Sequence, residues 1–212
     1  MSPVRLFAVA SFDGHAAPGT PAGIKLVTFR DLAALTADVV NARPSLAQPD
    51  LDSQREAVAA AFARHPVLPA PPGTVFRARD SLMRWLELHY VTLRDALSFV
   101  EGRAVARVHV ARRATGAGGS KGEELAIDID AVAVNAFRVL RRHAVATVAL
   151  KPSSSASAPD AAAASAAFLI ERDRWRLFED VVAEEAKRDP ELLFRLTGPW
   201  PPYDFVSMEF GG

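Results

Sequence analysis

Apolar positions along this chain recur at two spacings, every second residue and every third or fourth, and the switching between them predicts a mixed α+β protein. Val4–Ala10 is a short β-rich apolar run. Gly14–Gly23 is dense in Gly and Pro and reads as a loop. Ile24–Phe29 predicts a second strand. Asp31 stands where an N-cap would, ahead of Leu32, Leu35 and Val39 on one face of a short helix. Asn41–Asp52 carries two prolines and reads as irregular. Asp52 or Ser53 opens a helix to about His65, with Glu56 in the capping-box position and Pro66 as the stop. Val67–Phe76 is apolar at both ends but interrupted by Pro69, Pro71, Pro72 and Gly73. Proline cannot donate to a central ladder, so this stretch predicts an edge strand or a bent hairpin. Asp80–Val100 is the strongest helical pattern: Leu82, Leu86, His89/Tyr90, Leu93, Leu97 and Val100 share a face, and Gly102 ends it.

Beyond Gly102 the pattern is more regular. In Arg103–Ala111, Val105, Val108 and Val110 alternate with Arg103, Arg107 and His109, which predicts a strand. Arg112–Glu124 reads as a Gly/Ser loop. Asp130 can cap a helix through Val132, Val134, Phe137 and Leu140, although Leu125–Ile129 alternates and could be a short strand. Ala144–Leu150 predicts a strand, Lys151–Ser165 a loop of low complexity, Ala167–Ile170 a strand, Asp173–Arg188 a helix with Trp175, Phe178, Val182 and Ala186 inward, and Leu192–Leu196 the last strand. From Arg103 the order is β-α-β-β-α-β, the ferredoxin-like arrangement of four antiparallel strands under two helices. The first half reads ββ-α-β-α. The expectation is therefore two small α+β domains, residues 1–101 and residues 102–212, the second ferredoxin-like and carrying the C-terminal tail.

Composition narrows the chemistry. At 212 residues the chain can bury a sizeable core without a covalent staple. Acids and bases balance at 25 each, so no net field draws it to nucleic acid or an anionic membrane. There is no cysteine, which excludes disulfides, thiolate metal sites and a cysteine nucleophile. The apolar run Val4–Ala10 is too short for a convincing signal peptide, being broken by Asp13 and His15, and no stretch reaches the ~20 apolar residues that span a bilayer. The protein is read as cytosolic.

No catalytic set stands out. The histidines at 15, 65, 89, 109 and 143 have no metal-ligand spacing. Asp128 and Asp130 pair two carboxylates, too few for a Ca²⁺ or Mg²⁺ shell and better suited to capping the next helix. Gly116–Gly122 has a superficial likeness to a phosphate loop, but Lys121 is followed by Gly122 and not by Ser or Thr. Arg138, Arg141 and Arg142 form a basic helix end without the stacking aromatics of a nucleic-acid site. No nucleophile, base and orienter can be nominated, and no cofactor or metal is expected.

The informative segment is Leu196-Thr-Gly-Pro-Trp-Pro-Pro-Tyr-Asp-Phe205. Its prolines stiffen an extended piece bearing large rings. Thr197, Gly198, Pro199, Trp200, Pro201, Pro202, Tyr203 and Phe205 either fold back to seal apolar surface or present an aromatic platform to a partner. Leu196–Val206, LTGPWPPYDFV, resembles the closing signature of the GvpF/GvpL gas vesicle proteins. Ala167–Asp173 and the helix and strand after it are similar to the same family, as is Val67–Phe76, where Pro71-Pro72 stands in place of the family's Arg-Phe. The resemblance implies a non-enzymatic accessory protein of gas vesicle formation with a fold of two α+β domains of ferredoxin-like character. It implies, as partners, the hydrophobic shell protein GvpA and other accessory proteins in the cytoplasm, with no nucleic acid, membrane or small-molecule substrate. The alternative from the residues is a small-molecule-binding or enzymatic ferredoxin-like module.

Overall fold

The computed structural model describes residues 2–12, 23–40, 46–112, 129–151 and 164–206. The chain divides into two units, Met1–Gly102 with Pro201–Gly212, and Arg103–Trp200. The expected division placed residues 201–212 with the second half. The tail groups with the first because Val206 packs against the first unit's core.

In the first unit, β1 (Val4–Ser11) lies centrally in an antiparallel sheet. One side of it pairs with β3 (Leu32–Asp38), which pairs in turn with β2 (Lys25–Phe29). Its other side pairs with two short pieces, β4 (Val67–Pro69) and β5 (Val75–Phe76). The proline-broken stretch is therefore an interrupted edge strand: Ala70 N donates to Phe7 O at 2.9 Å and Leu6 N to Thr74 O at 3.0 Å around the gap. A bulge in β1 between Leu6 and Ala8 lets Leu6 and Val9, three residues apart, face one core. That core is completed by Leu82, Trp85 and Leu86 of α2 (Arg79–Leu88) and by Leu93, Leu97 and Val100 of α3 (Tyr90–Val100). The other helix, α1 (Gln48–Phe62), packs on β1 and β4, where the buried Arg5 guanidinium meets Asp50 at 2.5 Å and buried Gln54 donates to Ala70 O at 2.7 Å.

Three expectations are corrected in this unit. Leu32–Val39 is not a helix but the strand β3. Its alanines favour helix locally, but β3 is laddered on both edges, with every residue from Leu32 to Thr36 buried. Phe29 pairs with Leu32, so Arg30 and Asp31 form a two-residue turn. Arg30 takes a φ of 53° and sets its guanidinium over the rings of Phe29 and Tyr90, 5.4 and 4.7 Å from their centroids. Tyr90 donates its hydroxyl to Asp31 at 2.7 Å, tying the turn to α3. Next, α1 begins at Gln48 with Pro49 in its first turn, earlier than the caps at Asp52 and Ser53 suggested. Finally, the long helix is two helices broken at His89, whose φ and ψ of −99° and 11° leave the helical range.

The second unit contains β6 (Arg103–Arg112), α4 (Ile129–Arg141), β7 (Ala146–Ala149), β8 (Ala164–Glu171), α5 (Trp175–Arg188) and β9 (Leu192–Trp200). Its antiparallel sheet has the order β7-β8-β6-β9, the ferredoxin-like topology expected from the sequence. Ala106, Val108 and Val110 of β6 and Ala166, Phe168 and Ile170 of β8 pack with Ala133 and Leu140 of α4 and Phe178 and Val182 of α5. Val134 is exposed, and Ala133 and Ala136 take the buried positions. β8 starts at Ala164, ahead of the expected Ala167, and β9 runs on past Leu196 to Trp200.

Candidate functional site

The C-terminal motif is built on the end of β9. Thr197 pairs with Arg107 and Trp200 with Val105, so on β9 Gly198 and Pro199 together oppose the single residue Ala106 on β6. This bulge returns Thr197 and Trp200 to one face of the sheet. There the indole N–H of Trp200 donates to Thr197 Oγ1 at 3.2 Å. Gly198 has a φ of 134° and a peptide bond to Pro199 that is cis. A Cβ on it would lie 2.6 Å from Val105 O and 2.7 Å from Cη2 of Trp175. The Trp175 ring is held across the glycine, its Nε1 donating to Glu179 at 2.8 Å. Gly198 is thus where a backbone and a ring approach too closely for any side chain.

Past Trp200 the chain turns. Tyr203 N donates to Pro201 O at 2.8 Å and Phe205 N to Pro202 O at 3.1 Å. Pro201 and Pro202 are buried, Tyr203 and Phe205 half-buried, and Trp200 is 45% exposed. The segment is dominated by apolar and aromatic groups.

The other sequence candidates do not converge. Gly116–Gly122, His15 and Asp128 lie outside the described residues, as does the Asp130 side chain. His109 lies on β6, whereas His65, His89 and His143 lie in the turns that follow α1, α2 and α4, and among the described residues no group of three His, Cys, Asp or Glu could hold a metal ion. Arg138 and Arg141 sit in the last turn of α4, where cations complement the helix terminus. In the first unit, Ser11, Asp31, Pro66, Arg94, Ser98 and Glu101 line a cavity of about 170 Å³. That is below the roughly 300–1,000 Å³ of ligand pockets, and its Asp31 and Arg94 pair with each other at 3.2 Å.

His109, half-buried on β6, meets Ser165 Oγ at 2.8 Å. Burial, then the charges of Arg107 and Arg195, push its pKa below the ordinary 6.5. A histidine with a depressed folded pKa stabilises the fold fully above its unfolded value. The contribution of His109 to stability is therefore expected to be flat above about pH 6.5. It declines as the pH falls from there to the folded pKa and levels off below it. Urea midpoints measured across this range should show the step in the native chain and lose it in His109→Gln. A step that persists in the variant would assign it to another group.

Sequence reasoning missed Trp175 as a partner of the motif. It was legible as an inward helix residue, but nothing in the linear pattern joins it to Gly198.

Comparison with known proteins bears on the fold and the family. The model of the family described as gas vesicle synthesis protein GvpL/GvpF matches residues 6–117 and 112–207. Gas vesicle protein F2 of Halobacterium salinarum is 23% identical over 188 residues, covering 87% of this chain and 81% of that protein. The crystal structure of GvpF from Anabaena sp. PCC7120 superposes with a TM-score of 0.77 at 17% identity, over 100% of this chain and 99% of the other. That of GvpF from Microcystis aeruginosa gives 0.70 at 14% identity, over 98% and 100%. The structures share the fold, and the family model spans nearly the whole sequence, so the chain belongs to the gas vesicle GvpL/GvpF family.

Proposed function

We propose that this chain is a non-catalytic accessory factor of gas vesicle assembly, acting in the cytoplasm at the growing vesicle. It binds the hydrophobic shell protein GvpA, other accessory proteins, or both, and Trp200 is the anchor. The observation that carries this reading is the half-exposed Trp200 ring, held by its hydrogen bond to Thr197 and followed by two buried prolines. A large ring fixed before it meets a partner loses little entropy on binding, which is why tryptophan and tyrosine dominate interface energetics. Tyr203 and Phe205 are the second and third proposed contacts. Family membership supports the setting, since the matching relatives are named as gas vesicle proteins. No helix among the described residues is long and apolar enough to cross a membrane.

Capture of purified GvpA-type subunits by the intact protein tests the proposal. A Trp200→Ala/Tyr203→Ala variant with native circular dichroism is expected to bind at least roughly 30-fold more weakly, the effect of losing about 2 kcal/mol at an anchor. Undiminished capture by the folded variant would reduce the motif to a seal.

A further inference from the structure

Among the described residues the second unit's sheet ends on two edges, and they are guarded very differently. The β9 edge carries Arg195 and the Gly198–Pro199 bulge, both devices that discourage pairing with another strand. β7 has no such protection. From Ala144 to Leu150 the sequence Ala-Val-Ala-Thr-Val-Ala-Leu contains no charge, proline or glycine. Val145 is 43% and Val148 37% exposed. Among the described residues β7 pairs with β8 alone.

Register shows which backbone groups are open. Leu150 N donates to Ser165 O at 2.9 Å, in line with the pairing of Val148 with Ala167 and Ala146 with Leu169. Bonded pairs recur at every second residue of an antiparallel ladder. The N–H and C=O groups of Thr147 and Ala149 therefore point away from β8. Val145, in the bend before β7, has its N–H used by Leu169 O at 2.8 Å. In addition, the Thr147 hydroxyl oxygen is buried without a hydrogen-bond partner.

We infer that β7 is a self-pairing edge, joining antiparallel to β7 of a second copy of this chain about a two-fold axis through Thr147. The segment is its own complement in that register. Thr147 meets Thr147 of the copy as a bonded pair, and Ala149 N–H donates to the copy's Val145 C=O. Each Val145 lies beside an Ala149, and each Val148 beside an Ala146, so large side chains face small ones. The neutral strand brings no like charges together, and rotation about χ1 gives each orphaned Thr147 hydroxyl the other as partner. A two-fold contact of this kind closes at a dimer and does not propagate.

Sedimentation velocity of the full chain tests the inference. The weight-average mass is expected to rise with concentration from 22.8 kDa toward twice that value. Hydrogen exchange on the same samples should show the Thr147 and Ala149 amides protected at least tenfold more when concentrated than when dilute. Ala149→Pro removes an N–H that the β8 ladder does not use, and an edge accepts proline. It and Val148→Lys should each weaken association at least tenfold with unchanged circular dichroism. A chain that stays monomeric at every concentration, amides already protected when dilute, or folded variants that dimerise normally would each overturn the proposal. Trp200→Ala should dimerise like the native chain, which separates this contact from shell binding.

Discussion

Gly198→Ala is expected to destabilise the protein by about 3 kcal/mol or more, lowering its melting temperature by roughly 6–12 °C. Two costs combine. A φ of 134° is a conformation that side chains rarely adopt, and the added methyl would overlap both Val105 O, at 2.6 Å, and the Trp175 ring, at 2.7 Å. The carbonyl belongs to the β6 ladder and cannot withdraw without breaking pairing. The ring is tethered by its bond to Glu179. The sign makes the test sharp, because glycine to alanine at an unstrained site stabilises by about 0.4–1 kcal/mol through the unfolded state. A thermal or urea melt of the variant with an unchanged or raised midpoint would contradict this account of the glycine. Trp175→Ala should relieve the side-chain overlap but not the backbone strain, so the double variant should recover only part of the loss caused by alanine at 198.

Phe168→Ala should cost a comparable or larger amount, about 3–5 kcal/mol. Phe168 is fully buried on β8 between Phe137 and Phe178, with ring centroids 5.9 and 5.4 Å away. Those partners come from α4 and α5, so this one ring joins the sheet to both helices. Its removal leaves a void that the backbone of β8, paired on both edges, cannot close. Phe168→Leu should restore more than half of the stability, because most of the volume returns. Equilibrium urea unfolding reads both variants, and a loss below about 1 kcal/mol for alanine would show that the helices reach the sheet without this ring.

The second unit was legible in the sequence to the level of topology. Val105, Val108 and Val110 announced β6, and Phe178 and Val182 announced the buried face of α5. The order of elements after Arg103 then allowed few ways to cover one apolar sheet face. The first unit was less legible because β3 is buried without interruption from Leu32 to Thr36. A strand covered on both faces has no alternation to display, and an alanine-rich one resembles a helix until its neighbours are known. The candidate site was readable as a cluster of stiff and aromatic residues, but which of them are buried was not.

Sequence alone determined where strands must avoid the middle of a sheet, where helices stop, and that the tail was stiff and ring-bearing, because proline, glycine and apolar spacing act through local backbone geometry. Only the tertiary structure decided that Leu32–Asp38 is a strand, that Gly198 exists to admit Trp175, and that Trp200 stays half open while Pro201 and Pro202 are buried. Each depends on contacts between residues distant along the chain, and such contacts leave no periodicity in the residues that make them.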